Sequence, residues 1–419
     1  MPVHLCAMDY RRLPAAVRDR VVLSEADGPR ALRRLTGDSS LEEAVLLITC
    51  HRCELYTATA DPERVARWAR EVLTGRDPAG APVETWRQMA GGDAIHHLCR
   101  VACGLDSAVL GEAQVLGQVR RAWQEAVAAG TIGTTLDRLF RLAVSAGKRA
   151  RRLPGVEGRT ASLADVAVQL VEARLDTLHG RRVLVIGSGT MAQLTVRALA
   201  VAGVAEVTVA ARRPEQVPAL GNRVTAVPLG RLSEVLVDVD VAVSTTSAPS
   251  VILDVPMVRQ VMARRRRPLV LVDLAVPRDI DPGVREVAGV ILVDADEVVA
   301  HAGMSTQPTT GVVARLEAIA AHAAATFERW ERARAAVPSI VRLRRRAEQI
   351  QRAELARALR RLPDLTDRER DVVAAMAAGI VNRILYAPTA RLKAKAAERD
   401  GDLLRRALDT LFALDREQE

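Results

Sequence analysis

The chain has 419 residues, 49% hydrophobic, 26% charged and 2% aromatic, which suffices for two or three domains each with its own core. So few aromatic side chains argue against nucleic-acid binding by base stacking, while sugar-phosphate contact stays open. Five irregularly spaced cysteines make no disulfide framework, and the formal charge of +9 is concentrated in residues 311–419, with 22 Lys and Arg against 16 Asp and Glu.

A reducing compartment, the cytoplasm, is therefore expected. The first residues lack the charged head and apolar core of a signal peptide. No apolar run of the roughly 18 residues a membrane span needs is expected.

In chain order, residues 5–8 and 44–49 read as strands, with a capped helix start at Ser24-Glu25-Ala26-Asp27 between them. The second strand ends abruptly in Thr49-Cys50-His51-Arg52-Cys53-Glu54. A thiol at a strand end beside Arg52 and His51 can act as a nucleophile, because nearby positive charge favours the thiolate. The same Cys50-x-x-Cys53 spacing fits half a zinc site, a dithiol pair or inert buried cysteines. His96, His97, Cys99 and Cys103 form a second cluster on a helical pattern, but no second C-x-x-C faces the first.

Helices are expected over 84–102 and 113–129. The connection Gly104-Leu105-Asp106-Ser107-Ala108-Val109-Leu110-Gly111-Glu112 suits either the rim of a polar pocket or an ordinary inter-helix loop. A basic helix over 136–152 stops at Pro154-Gly155, where a domain boundary is expected, and an amphipathic helix over 162–178 follows.

Arg182-Val183-Leu184-Val185-Ile186 is a β-branched run entering Gly187-Ser188-Gly189-Thr190-Met191-Ala192. A helix over 191–202 and a returning strand over 206–210 complete the strand, glycine loop, helix, strand order that a dinucleotide fold requires. Where an NAD site usually carries an acid for the ribose hydroxyl, this chain has Arg212 and Arg213, whose cations suit the 2′-phosphate of NADPH; a solvated basic turn is the other reading. Further strands are expected over 239–244, 269–274 and 290–293, with their carboxyl ends facing the cofactor.

From Gly311 a helical pattern runs for about fifty residues. Val313, Leu316, Ile319, Ala320 and Ala323 form one stripe, Ile340, Leu343, Ala347 and Ile350 resume it after Pro338, and residues 376–385 add another. A narrow apolar stripe cannot bury itself, so this third reads as an oligomerisation domain.

Taken together, these motifs resemble the glutamyl-tRNA reductase family nearly end to end. The match includes Thr49-Cys50-His51-Arg52-Cys53-Glu54, the segment from Gly104 to Gln118, Gly147-Lys148-Arg149-Ala150, the glycine loop, Asp273-Leu274-Ala275-Val276-Pro277-Arg278-Asp279-Ile280-Asp281-Pro282 and Ala387-Pro388-Thr389-Ala390-Arg391-Leu392-Lys393.

The resemblance implies a multidomain α/β protein with three parts. These are an α+β catalytic domain over 1–155, a Rossmann-type NADPH domain with a parallel sheet over 156–305, and an all-α dimerisation domain with a long helix over 306–419. It implies attack of Cys50 on glutamyl-tRNA(Glu), release of tRNA, and NADPH reduction of the thioester to glutamate-1-semialdehyde on the way to 5-aminolevulinate and tetrapyrroles.

By the same resemblance, Thr49, Cys50, His51, Arg52, Ser107, Glu112, Ala113, Gln114 and Gln118 line the substrate pocket, with Ser162 at its border and His97 assisting acyl transfer. Gly187, Ser188, Gly189, Thr190, Met191, Ala192, Arg212 and Arg213 hold the cofactor. A homodimer and transient docking of glutamate-1-semialdehyde aminomutase are also implied.

The chain departs from the family's usual pattern at His51, Cys53, Asp9-Tyr10-Arg11 and Arg151-Arg152-Leu153-Pro154. Two competing classes remain at this level: an NADPH-dependent thiol dehydrogenase of another acyl substrate, and an idle binding homologue.

Overall fold

The computed structural model describes residues 2–9, 27–35, 42–49, 52–59, 86–107, 112–154, 162–217, 224–305, 310–398 and 401–414, with Leu13, Leu23, Asp61, Glu63, Val65, Ala69, Leu110 and Val156 between these stretches. They form two compact units, Met1–Ala323 and Ala324–Glu419.

The first unit opens with a four-stranded antiparallel sheet in the order β2-β3-β1-β4, from β1 (Val3–Asp9), β2 (Glu43–Ile48), β3 (Arg52–Ala58) and β4 (Trp86–Ala90). Side chains on a strand alternate between faces, so Cys53 and Leu55 share one side of β3 while Arg52, Glu54 and Tyr56 share the other. Cys53 accordingly joins an apolar layer with Cys6, Met8, Leu46, Ile48 and Leu55, against which α1 (Gly28–Leu35) packs through Ala31 and Leu32.

Tyr56 instead meets Phe140, ring centroids 5.5 Å apart in an edge-to-face contact. Phe140 belongs to α4 (Thr134–Arg151), which packs with α2 (Gly92–Ala102) and α3 (Ala113–Ala129). Glu43 ties this layer to the sheet by accepting the first backbone N–H groups of α4, from Thr135 at 3.0 Å and Leu136 at 2.6 Å.

The helix expected over 84–102 is corrected to a strand followed by a helix. Residues 86–90 pair antiparallel with β1, from His4 opposite Ala90 to Met8 opposite Trp86. Gly91, at φ 55°, then breaks the chain before α2. The open edge of β1 offered main-chain partners that the helical pattern of 92–102 did not reveal.

After α5 (Leu163–Leu175) comes a six-stranded parallel sheet in the order β10-β9-β8-β5-β6-β7. Its strands are β5 (Arg182–Ile186), β6 (Glu206–Ala211), β7 (Val224–Pro228), β8 (Val241–Ser244), β9 (Leu269–Asp273) and β10 (Val290–Asp294). This is the doubly wound dinucleotide-binding order. Along β5, Val183 and Val185 enter the core under α5, α6 (Thr190–Val201) and α8 (Ala295–Ser305), while Leu184 and Ile186 enter the opposite core with α7 (Val255–Ala263).

Burial on both faces explains why the central strands read as continuous apolar runs. Edge strand β7, largely exposed, lacks that signature and was not expected from the sequence.

Helix α9 (Thr310–Arg361) runs unbroken through Pro338 for 52 residues. Its first turns belong to the first unit, where Leu316 and Ala320 are buried. In the second unit α9, α10 (Asp367–Lys395) and α11 (Gly401–Leu411) form small cores: Ala336 and Ile340 with Leu392 and Ala396, and Leu343 with Leu385 and Leu414. A capping box between Thr366 and Glu369 starts α10.

By length and composition, α10 is apolar enough to cross a membrane, which corrects the expectation that no such run exists. Val372, Met376, Ile380 and Ile384, spaced four apart on one face, are each more than half exposed. The sequence pattern hid this stretch because single charges and Pro388 interrupt it.

Candidate active site

The end of β2 is tied to the start of β3: the Thr49 N–H donates to Arg52 O at 2.9 Å, and the Arg52 N–H donates to Thr49 Oγ1 at 3.2 Å. Cys50 and His51, between them in the sequence, lie outside the described residues.

From there the alternation of β3 stacks Arg52, Glu54 and Tyr56 on the side facing α2. Glu54 receives Arg52 Nη1 at 3.1 Å, faces His97 Nε2 at 2.8 Å through the same Oε1, and accepts the Tyr56 hydroxyl at 2.7 Å through Oε2. The other arm of the guanidinium, Nη2, donates to the Asp106 carbonyl, and His97 Nδ1 lies 3.7 Å from Asp106 Oδ2.

Complete burial would push the Glu54 carboxyl up, but the charges of His97 and Arg52, with hydrogen bonds from His97 and Tyr56, outweigh it and hold the group at about 2. Glu54 is thus a fixed anion under Arg52. Those two bonds engage two of the five guanidinium N–H donors and set the plane of the fork.

In the loop beyond α2, the buried Ser107 hydroxyl has no hydrogen-bond partner among the described residues. An orphaned buried donor costs free energy unless a ligand uses it. Glu112, at the N-cap of α3, is buried, and burial pushes its carboxyl up to about 7 despite a hydrogen bond from the Leu163 backbone. Ser162 lies next to Leu163, with its side chain in the capping box of α5.

A cavity of about 1180 Å³ opens between this module and the parallel sheet. Thr49, Gln114, Gln118 and Arg121 line one side; the other is lined by residues 187–191, Arg212 and Arg213. Ala192 instead packs in the core beneath the glycine loop. Arg52, His97, Ser107 and Glu112 lie outside that lining, and the Ala113 side chain is outside the described set.

The two loop glycines do different work. Gly187 sits at φ 114°, and a Cβ there would come 2.9 Å from Thr245 Oγ1, so the protein itself requires glycine. At Gly189, φ is −71° and a Cβ would meet nothing within 4 Å. Its missing side chain leaves open space at the N-terminus of α6, where no side chain among the described residues caps the first backbone N–H groups. That arrangement fits a pyrophosphate, which needs close backbone approach and the positive end of a helix. Arg212 and Arg213, both exposed after β6, fit a 2′-phosphate; Arg213 Nη1 reaches Gln216 Oε1 at 3.4 Å.

The cavity wall formed by Thr245 and Thr246 is braced from behind. Asp279 accepts from Ser244 Oγ at 2.6 Å, Thr246 Oγ1 at 2.8 Å and Thr246 N at 3.0 Å. Asp273 accepts from Ala275 N and Ile280 N, both at 3.0 Å, and its burial pushes the carboxyl up to about 7.

Sequence reasoning did not single out Glu54, Asp106, Asp279 or Arg121. The alternation Arg52, Glu54, Tyr56 could have pointed to the first. The others depend on contacts between distant segments.

Residues 6–153 match the family described as "Glutamyl-tRNAGlu reductase, N-terminal domain", residues 169–300 "Shikimate / quinate 5-dehydrogenase", and residues 315–414 "Glutamyl-tRNAGlu reductase, dimerisation domain". A glutamyl-tRNA reductase of Chloroflexus aurantiacus is 36% identical over 437 residues, covering 99% of this chain and all of the relative. "Glutamyl-tRNA reductase 2" of Anaeromyxobacter dehalogenans is 37% identical over 417 residues, covering 99% of this chain and 92% of the relative. Among solved structures, the glutamyl-tRNA reductase from Methanopyrus kandleri superposes with a TM-score of 0.51 at 27% identity, covering 97% of this chain and 98% of that one.

Proposed function

The chain belongs to the glutamyl-tRNA reductase family, and we propose that it reduces the glutamyl group of glutamyl-tRNA(Glu) to glutamate-1-semialdehyde through a thioester on Cys50, feeding 5-aminolevulinate and tetrapyrrole synthesis. The observation that carries this reading is the shared cavity. Thr49, adjoining Cys50 in the sequence, and the glycine loop with Arg212 and Arg213 line the same space, which supports hydride transfer from a dinucleotide on the sheet to an acyl group on Cys50.

In the first half-reaction the Cys50 thiolate attacks the glutamyl ester carbonyl. The carbon–sulfur bond forms, the ester bond breaks, and the tRNA hydroxyl leaves with a proton. Covalent capture divides one hard step into two easier ones and yields a thioester, a better hydride acceptor than a carboxylate.

Arg52, oriented by Glu54 and by the Asp106 carbonyl, keeps N–H donors suited to a glutamyl carboxylate, and the buried Ser107 hydroxyl, without a partner among the described residues, suits the same group. His97, held between Glu54 and Asp106, adds polarity and proton-handling capacity. NADPH, when bound, supplies the hydride that converts the thioester to aldehyde. In that half-reaction the protein's part is to seat the dinucleotide on residues 187–191 with Arg212 and Arg213 at its 2′-phosphate, and to regenerate the Cys50 thiolate as the carbon–sulfur bond breaks.

The reading also assigns residues 1–155, 156–305 and 306–419 to catalytic, NADPH-binding and dimerisation domains. The family matches at 6–153, 169–300 and 315–414 support these limits. The exposed face of α10 lies within the dimerisation match, which supports a second copy of this chain as its partner in a homodimer. Cytoplasmic location and direct transfer of the reactive aldehyde to an aminomutase belong to the same proposal.

Labelled glutamyl-tRNA supplied without NADPH tests the chemistry: label should accumulate on Cys50 and be lost in Cys50→Ser, while Cys53→Ser keeps it. Label mapped to another residue, or turnover with free glutamate equal to that with glutamyl-tRNA, would refute the proposal.

A further inference from the structure

Contacts also lead from Arg52 along α2 to the long helix. Asp106 gives its backbone carbonyl to Arg52 and its carboxylate Oδ1 to Arg100 Nη2 at 3.1 Å. Arg100, in the last turn of α2, uses Nη1 to hold Glu317 Oε2 on α9. His96, one turn earlier on the same face of α2, brings Nε2 to 2.9 Å from Glu317 Oε1. One carboxylate from α9 therefore spans two side chains of the helix that carries His97.

We propose that Glu317 is a positioning residue for acyl transfer, fixing Arg100 and through it Asp106, which orients Arg52 and His97. The inference rests on the Cys50 and Arg52 reading above.

The geometry favours positioning over simple cohesion. Guanidinium N–H groups project in fixed directions, so carboxylates on Nη1 and Nη2 together lock the Arg100 rotamer. The chain from α2 to Asp106 is short and hydrogen-bonded: Gly104 N donates to Val101 O and Leu105 N to Arg100 O, both at 3.0 Å. A shift of Arg100 is passed to Asp106 and Ser107 with little slack. Meanwhile Arg100 and Glu317 are each about one-third exposed, and ion pairs so open to water add little to stability. Substitution there should move the site without unfolding it.

The test uses the full chain with Glu317→Gln, which keeps the shape and removes the charge. Single-turnover labelling of Cys50 from glutamyl-tRNA, without NADPH, should slow by about tenfold, since small misplacements of reacting groups carry large rate costs. NADPH affinity by fluorescence, Tm and mass by light scattering should stay at wild-type values. Arg100→Gln should give a similar loss, and the double variant no more than either alone, as expected of residues acting as one unit. Glu317→Asp should recover part of the rate.

Wild-type labelling rates in Glu317→Gln would overturn the inference, as would additive losses in the double variant or a loss accompanied by lower Tm and weaker NADPH binding. No label on Cys50 in the wild type would overturn the parent reading, and this one with it.

Discussion

Replacing Glu54 by Gln preserves the size of the side chain and removes the one charge that Arg52 and His97 share. The drop of the Glu54 carboxyl from its usual 4.5 to about 2, at about 1.4 kcal/mol per pH unit, corresponds to about 3 kcal/mol in favour of the ionised, folded form. No discount for solvent applies, because the group is fully buried. A similar loss, roughly 3 to 5 kcal/mol, is expected from leaving a buried cation without its counterion.

The sign follows from the direction of the change. A depressed carboxyl contributes its full stability above the unfolded value of about 4.5, and that contribution is lost as pH falls toward about 2. Urea denaturation followed by circular dichroism should therefore show Glu54→Gln about 3 kcal/mol less stable near pH 7, with the gap to wild type closing below about pH 4.5. Equal stability at pH 7, or a gap that stays constant into acid, would refute the electrostatic account of this layer.

Gly189→Ala should leave Tm unchanged yet weaken NADPH binding, measured by fluorescence titration, because the added methyl meets no atom within 4 Å among the described residues but enters the space proposed for the cofactor. Gly187→Ala should lower Tm in the absence of cofactor, since it combines φ 114° with a 2.9 Å approach to Thr245. Arg212→Asp with Arg213→Ala should weaken NADPH by at least about tenfold while NADH changes little, charge-assisted bonds being worth on the order of 1.5 to 3 kcal/mol before solvent screening; equal losses would misplace the 2′-phosphate site. A chain ending at Ala323 should be monomeric by light scattering and retain its fold, whereas one ending before Gly311 should be less stable, because Leu316 and Ala320 are buried within the first unit.

What was legible in the sequence was set by local physics. The apolar runs of β5, β8 and β9, the glycine loop and the long stripe of α9 each carry a period or a backbone requirement that survives without tertiary context. Segments whose structure depends on a neighbour were harder. Residues 86–90 become a strand by pairing with β1, and β7 is a strand by pairing with β6 at the sheet edge.

The same division holds at the site. Cys50, the glycine loop and Arg212 with Arg213 stand out by residue type and spacing. Glu54 acquires its role only when α2 brings His97 from 43 positions away, and Glu317 only when α9 returns from 217 positions beyond Arg100.

The alternation of β3 also bears on the C-x-x-C. On a strand, neighbours point to opposite faces, so Arg52 and Cys53 are committed to different environments by the register that pairs Met8 with Cys53 and Asp9 with Arg52. Arg52 goes to the polar layer of Glu54, His97 and Asp106. Cys53 goes to the apolar layer of Cys6, Met8 and Leu46. Zinc or dithiol chemistry would need Cys53 to leave that layer, and a one-residue slip would place Arg52 and Glu54 in it. Each move is costly, which supports the proposal of a lone nucleophile at Cys50, with Cys53 packed in the sheet.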